Sequence, residues 1–181
     1  MPILDFIEKQ SSLRNLILMI VSSFVVVMVM AMLTQMLVYD VYGDVTMPDT
    51  RFAYTITEIT DVFNTLGQAG LNAWVWAHML DFLFPLTYMF AMSFGMNMEI
   101  QRLNLDGRTK LLVLIPLLGG LADYIENILV LTQIAAYPSL SEFVIVIASA
   151  ITTLKWVLLG IGFGVIFALI PLLVYQRFSS K

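Results

Sequence analysis

Two carboxylic acids and an amide interrupt a long apolar run. They form Asp123-x-x-Glu126-Asn127, inside the stretch from Leu111 to Tyr137. Spacings of three and four residues set all three on one face of a helix. A charged side chain at the centre of a bilayer costs at least about 2.5–3.5 kcal/mol, so such a group needs a partner or a task. Three further ionisable residues break other apolar stretches: His78 and Asp81 in one, Lys155 in another. Carboxyls beside a lysine and an imidazole can hold or pass a proton, neutralise a bound cation, or act as acid and base on a substrate. They can also simply tie helices together.

The rest of the chain is written for lipid. Of 181 residues, 60% are apolar and only 12% are charged, against about a quarter charged in a soluble domain. Mean hydropathy is +0.89. The absence of cysteine removes disulfides, thiol nucleophiles and thiolate metal sites. A single histidine excludes any site needing two imidazoles from one chain. Nothing in the sequence suggests nucleic-acid binding, and no cofactor is indicated.

Four apolar segments predict an all-α, four-helix transmembrane bundle, one membrane domain over 1–181. The spans are expected at about 16–39, 71–98, 111–137 and 143–175. The first carries no charge and exceeds the roughly 20 residues a crossing needs. Between the first two lies an acidic loop, in which Ile56, Ile59, Val62, Phe63 and Leu66 recur at helical spacing. That pattern predicts a short amphipathic helix over about 57–66, lying on the membrane surface and ended by Gly67, within an ordered loop that caps the bundle. In the second span Trp74, His78, Asp81, Pro85, Tyr88 and Met92 share one stripe, and Pro85 frees the carbonyl of Asp81 and should kink the helix there. The fourth span is longer than a flat crossing requires, so tilt or a break near Pro171 must absorb the excess.

Lys9, Arg14, Arg102, Arg108, Lys110, Arg177 and Lys181 fall on one side of this arrangement and only Arg51 on the other. The positive-inside rule then places both termini in the cytoplasm and the loop 40–70 outside a cell membrane. Counted from the span ends, Asp81 lies about ten residues deep, Glu126 about eleven, Lys155 about twelve and Asp123 about fourteen, with a rise of about 1.5 Å each. One shared polar pocket follows. Its candidate ligand-binding residues are Asp81, Tyr88, Asp123, Glu126, Asn127, Lys155 and Trp156, with His78 near its outer mouth. Three acids against one lysine leave the pocket needing a proton or a cation.

Several readings of the pocket stay open. It can bind, transform or translocate a small lipophilic or cationic ligand. It can be an acid–base centre acting on a lipid, with Asp81, Asp123, Glu126, Lys155 and His78 as the catalytic candidates. His78, Asp81, Asp123 and Glu126 can ligate a metal, though one imidazole with oxygen ligands identifies none. Or the acid–lysine cluster is interhelical glue in a structural protein. Besides the lipid bilayer, a second copy of the chain is a candidate partner, because Gly160 and Gly164 form a small-xxx-small pattern that permits close helix contact.

Arg51-Phe52-Ala53-Tyr54, Leu80-Asp81-x-x-Phe84-Pro85-x-x-Tyr88, Asp123-x-x-Glu126-Asn127 and Thr153-x-Lys155-Trp156 together resemble a family of small four-helix bacterial and archaeal membrane proteins. The resemblance covers most of the chain from Arg51 to Trp156 and brings no activity with it. The architecture is also loosely similar to the four-helix sterol-isomerase and sigma-2-receptor-like family, which holds acids inside a lipid-binding bundle. The motifs of that family do not align with this chain.

Overall fold

The computed structural model describes residues 1–179, and among these there is no strand. Four stretches are long and apolar enough to cross a membrane, as expected for an integral membrane protein: Leu13–Tyr42, Ile56–Arg102, Gly107–Ala136 and Glu142–Ser179. We label the helices α1 (Pro2–Gln10), α2 (Leu13–Thr34), α3 (Ile56–His78), α4 (Phe84–Arg102), α5 (Leu114–Ala136) and α6 (Glu142–Ser179).

The short α1 is amphipathic and buries Ile7 in a cluster with Met96 and Ile100 of α4. Ser12 then caps α2 by accepting a hydrogen bond from Asn15 N at 3.2 Å. None of the 22 residues of α2 is buried. The helix packs chiefly on α4 and more lightly on α3, and presents the rest of its surface outward, as a uniformly apolar helix can only do in lipid. It continues through a π-helical turn at Gln35–Tyr39 to Tyr42 and stops at Gly43, whose φ of 89° suits only glycine.

At the other side of the loop, Thr55 and Glu58 form a reciprocal capping box that starts α3. The predicted amphipathic face is present: Ile59, Val62, Phe63 and Leu66 are buried. They face protein, however, and not the membrane surface, packing with Val130, Ile134, Ile145 and Ala148 of α5 and α6. Covering apolar side chains with other helices removes as much water contact as lipid would, and it also fixes the loop. Gly67 ends this part at the expected place (φ 58°, ψ −178°), and the helix resumes at once on a new axis.

Beyond the kink, α3 ends at His78, one 3₁₀ turn spans Met79–Phe82, and α4 begins with Pro85 in its first turn. The proline at Pro85 thus divides the second span into two helices. By contrast α6 runs unbroken through Pro171 for 38 residues, about 57 Å against the ~30 Å hydrocarbon core. No break near Pro171 takes up the excess length, which tilt or extension beyond the core must absorb.

Glycines set how closely the helices approach. A Cβ on Gly120 would fall 2.6 Å from Met89 Sδ of α4, and one on Gly162 would fall 2.9 Å from Met92 Cε. Gly119 sits against Leu158 and Leu159 of α6. Gly160 and Gly164 meet nothing within the chain and lie exposed on α6, so within one bundle the close approach belongs to Gly162.

Gly67 offers a clean test of backbone strain, since a Cβ there would touch nothing within 4 Å. Its φ/ψ region is open essentially to glycine alone. Gly67→Ala should therefore lower the unfolding free energy in mixed micelles by about 1–3 kcal/mol. Gly160→Ala, equally uncrowded but helical, should be neutral or stabilising by up to about 1 kcal/mol. Equal effects of the two substitutions would show that backbone conformation at Gly67 does not matter.

Candidate functional site

The break in the second span generates the site. Pro85 lacks an N–H, and the 3₁₀ turn before it leaves main-chain carbonyls exposed inside the bundle. Two side chains of α5 take them: Asn127 Nδ2 donates to Asp81 O at 2.9 Å, and Tyr124 OH donates to Phe82 O at 2.8 Å. In a 3₁₀ turn, side chains three apart eclipse one another. His78 and Asp81 accordingly meet, with Nδ1 3.6 Å from Oδ2. His78 is buried between the rings of Trp74 and Phe82.

One turn along α5, Asp123 Oδ2 accepts from Tyr88 OH at 2.8 Å and Oδ1 accepts from Lys155 Nζ at 3.3 Å. Lys155 also forms an ion pair with Glu126 Oε2 at 2.5 Å. The other oxygen of Glu126 accepts from Thr152 Oγ1 at 2.6 Å. Asp123, Glu126 and Lys155 are at most 5% exposed. Three spans thus bring their ionisable residues to one level, as the matched depths predict.

The loop end holds what the sequence reading missed. Residues 48–54 descend along α6 instead of lying over the bundle. Tyr54 N donates to Ser149 Oγ (2.9 Å), Thr153 Oγ1 to Phe52 O (3.0 Å), Trp156 Nε1 to Arg51 O (2.8 Å), and Lys155 Nζ to Asp49 O (3.4 Å). Ser149 and Trp156 lie seven and fourteen residues into the helix, so the loop backbone reaches roughly 10–20 Å along it. The descent carries the Asp49 carboxyl to His78 and Asp81, with one ligand atom of each within 4.8 Å of the others. Tyr54 is buried, with its hydroxyl 3.4 Å from Thr152 Oγ1. Burial pushes its phenol up to about 12, so it stays neutral at ordinary pH. In the sequence Asp49 looks like Asp40 and Asp44, an acid in a polar turn. The only available hints were the apolar neighbours Met47 and Tyr54, both buried here.

A cavity of about 950 Å³ leads to this cluster. It runs along the bundle between α2 and α6 over a floor of α4. Asp49, Asp81, Tyr88, Asp123, Lys155 and Trp156 line its polar end. Apolar side chains line most of the remainder, down to Glu99 and Arg102 of α4. Glu126, Asn127 and His78 stand behind the wall and do not line it. His78 is therefore enclosed and not at an open mouth, because the descending loop occupies the place expected to be open.

Comparison of the chain with family models, with curated proteins and with solved structures gives no match.

Lys155→Met would leave Asp123 and Glu126 buried without their cation. It should cost about 3–5 kcal/mol of unfolding free energy. Adding Glu126→Gln should restore a substantial part, because it removes one of the stranded charges. Simple additivity of the two losses would mean that the ion contact does not couple these helices. Separately, Asn127→Leu should cost about 1–3 kcal/mol by orphaning the carbonyl of Asp81.

Proposed function

We propose that this integral membrane protein binds an amphiphile with a long apolar tail and a cationic head. The observation that carries the reading is the cavity. It lies at the top of the roughly 300–1,000 Å³ range of small-molecule sites, and it joins a long apolar trough to one buried cluster of charges. A cluster serving only to tie helices together has no need of such a trough.

Length and charge favour this kind of ligand. From Trp156 to Leu173, both lining residues, the trough spans 17 residues of α6, or about 25 Å. That exceeds one leaflet of a ~30 Å hydrocarbon core, so a long acyl or isoprenoid chain suits it better than a compact solute. The lips carry exposed Leu13 and Ile20 on α2 and Phe163 and Ile170 on α6, which gives a chain dissolved in lipid a sideways route into the trough. At the polar end the acids Asp49, Asp81 and Asp123 line the cavity against the single Lys155, an imbalance that an ammonium head would reduce. Trp156, already donating to the loop, would frame that head.

The distribution of basic residues supports an orientation with both termini cytoplasmic and the descending loop outside. The head would then lie in the outer half of the membrane. The motifs from Arg51 to Trp156 also support kinship with the small four-helix prokaryotic family that they resemble.

Native mass spectrometry of the protein released from detergent should show a bound amphiphile. Gly95→Trp, which fills the trough beside Leu16, should remove it while helicity is retained. In direct binding, a long-chain primary amine should bind at least about tenfold tighter than the carboxylic acid of equal chain length, a difference of about 1.4 kcal/mol. Equal affinities, or unchanged binding to Gly95→Trp, would overturn the reading.

A further inference from the structure

The cluster divides into two parts with different charge balance. Lys155 serves Asp123 and Glu126, at 3.3 and 2.5 Å. No lysine or arginine side chain pairs with the other part, Asp49, His78 and Asp81, among the described ion pairs. There, two carboxyls and an imidazole stand within 4.8 Å of one another inside the bundle. His78 is 2% exposed and its Nε2 has no hydrogen-bond partner. Asp49 Oδ1 is likewise buried without a partner. Unpaired polar atoms enclosed in a low-dielectric interior are expensive. An ion shared by the three side chains would take up the orphaned oxygen of Asp49 and would meet His78 through Nδ1, the nitrogen that faces Asp81.

The geometry points to a divalent transition-metal site formed by Asp49, His78 and Asp81. Tetrahedral coordination at 2.0–2.2 Å sets ligand atoms about 3.4 Å apart. His78 Nδ1 and Asp81 Oδ2 are already at 3.6 Å, held there by the 3₁₀ turn. The third ligand sits on a loop, where a small movement closes the remaining gap. Two carboxylates balance the charge of a divalent ion. One imidazole with two carboxylates favours ions such as Zn²⁺ or Mn²⁺ over the all-oxygen sites of Ca²⁺ and Mg²⁺. Around the trio, Asn127 fixes the main chain of Asp81, and Trp74 and Phe82 hold the imidazole ring. Such outer contacts orient ligands for a metal. Asp49 and Asp81 also line the cavity, so a fourth coordination position would face it. Sequence spacing alone groups His78 and Asp81 with Asp123 and Glu126. The structure instead assigns those two acids to Lys155 and supplies Asp49 in their place.

Asp49 and Asp81 belong both to this trio and to the polar end of the trough, so metal binding is measured on lipid-free protein and amine binding on chelator-treated protein. The full-length protein, chelator-treated and delipidated in detergent, is titrated separately with Zn²⁺ and Mn²⁺, and bound metal is measured after gel filtration. One ion per chain is expected for at least one of them. Asp49→Asn, His78→Gln and Asp81→Asn should each weaken binding by roughly 100-fold or more, and Asp61→Asn, at an exposed acid remote from the cavity lining, should leave it within about threefold. If His78→Gln or Asp81→Asn fails to fold, Asp49→Asn on the loop decides. No stoichiometric ion in the wild type, or full binding by Asp49→Asn, would overturn the site. Metal binding without amine-chain binding would instead defeat the amphiphile reading alone.

Discussion

Inside a membrane-embedded bundle, every main-chain N–H and C=O must find a partner within the protein, since lipid supplies none. Two of this chain's departures from continuous helix lie at the polar cluster, and the surrounding polar side chains answer them. The 3₁₀ turn before Pro85 frees carbonyls that Tyr124 and Asn127 of α5 take up. The descending loop presents an N–H and carbonyls that Ser149, Thr153, Lys155 and Trp156 of α6 take up. The polar residues thus act in matched sets, the 80–88 stretch with the 123–127 stretch and the 48–54 loop with the 149–156 stretch. Irregular backbone at this depth is tolerated where it lines a cavity, and both irregular segments do so here, through Asp81 and through Asp49 and Thr50.

Lys155 links the two sets. Its ammonium reaches Asp123 and Glu126 on α5 and the carbonyl of Asp49 on the loop. One cation therefore couples the third span, the fourth span and the loop. Among the described residues it is the only buried lysine or arginine. With the lysine committed to Asp123 and Glu126, the Asp49–His78–Asp81 group has no fixed cation of its own. The division of charge follows from helix positions. Lys155 faces α5, while the 3₁₀ turn aims His78 and Asp81 toward the loop.

Much of this was legible in the sequence, for identifiable reasons. Four spans, the Gly67 stop and the division at Pro85 follow from local chemistry: apolar length, glycine's φ range and proline's missing N–H. The shared level of Asp81, Asp123, Glu126 and Lys155 follows from counting residues along helices of fixed rise. The role of residues 48–54 was not legible, because no periodicity governs a loop and an acid beside a proline reads as a solvated turn. The Ile59-to-Leu66 face of α3 is legible as apolar, but the pattern does not say whether lipid or protein covers it. Both failures have one source. Side-chain periodicity reports which face is buried, and it contains nothing about the partner that buries it.

The partner also decides between a site and a brace. A purely structural ion cluster has no need of an opening, because the attraction between its charges is strongest where water is excluded. Here Glu126, Asn127 and Thr152 have that character: each is fully enclosed, and Glu126 and Thr152 bond directly to each other. Asp49, Asp81, Asp123 and Lys155 differ, since they form the wall of a large cavity although other helices pack behind them. The sealed residues hold the open ones in place, as second-layer contacts do around a binding centre. Asp123-x-x-Glu126-Asn127 therefore plays two parts within a single helical turn. Asp123 faces the cavity, while Glu126 and Asn127 face the bundle and fix Lys155 and Asp81 on either side of it.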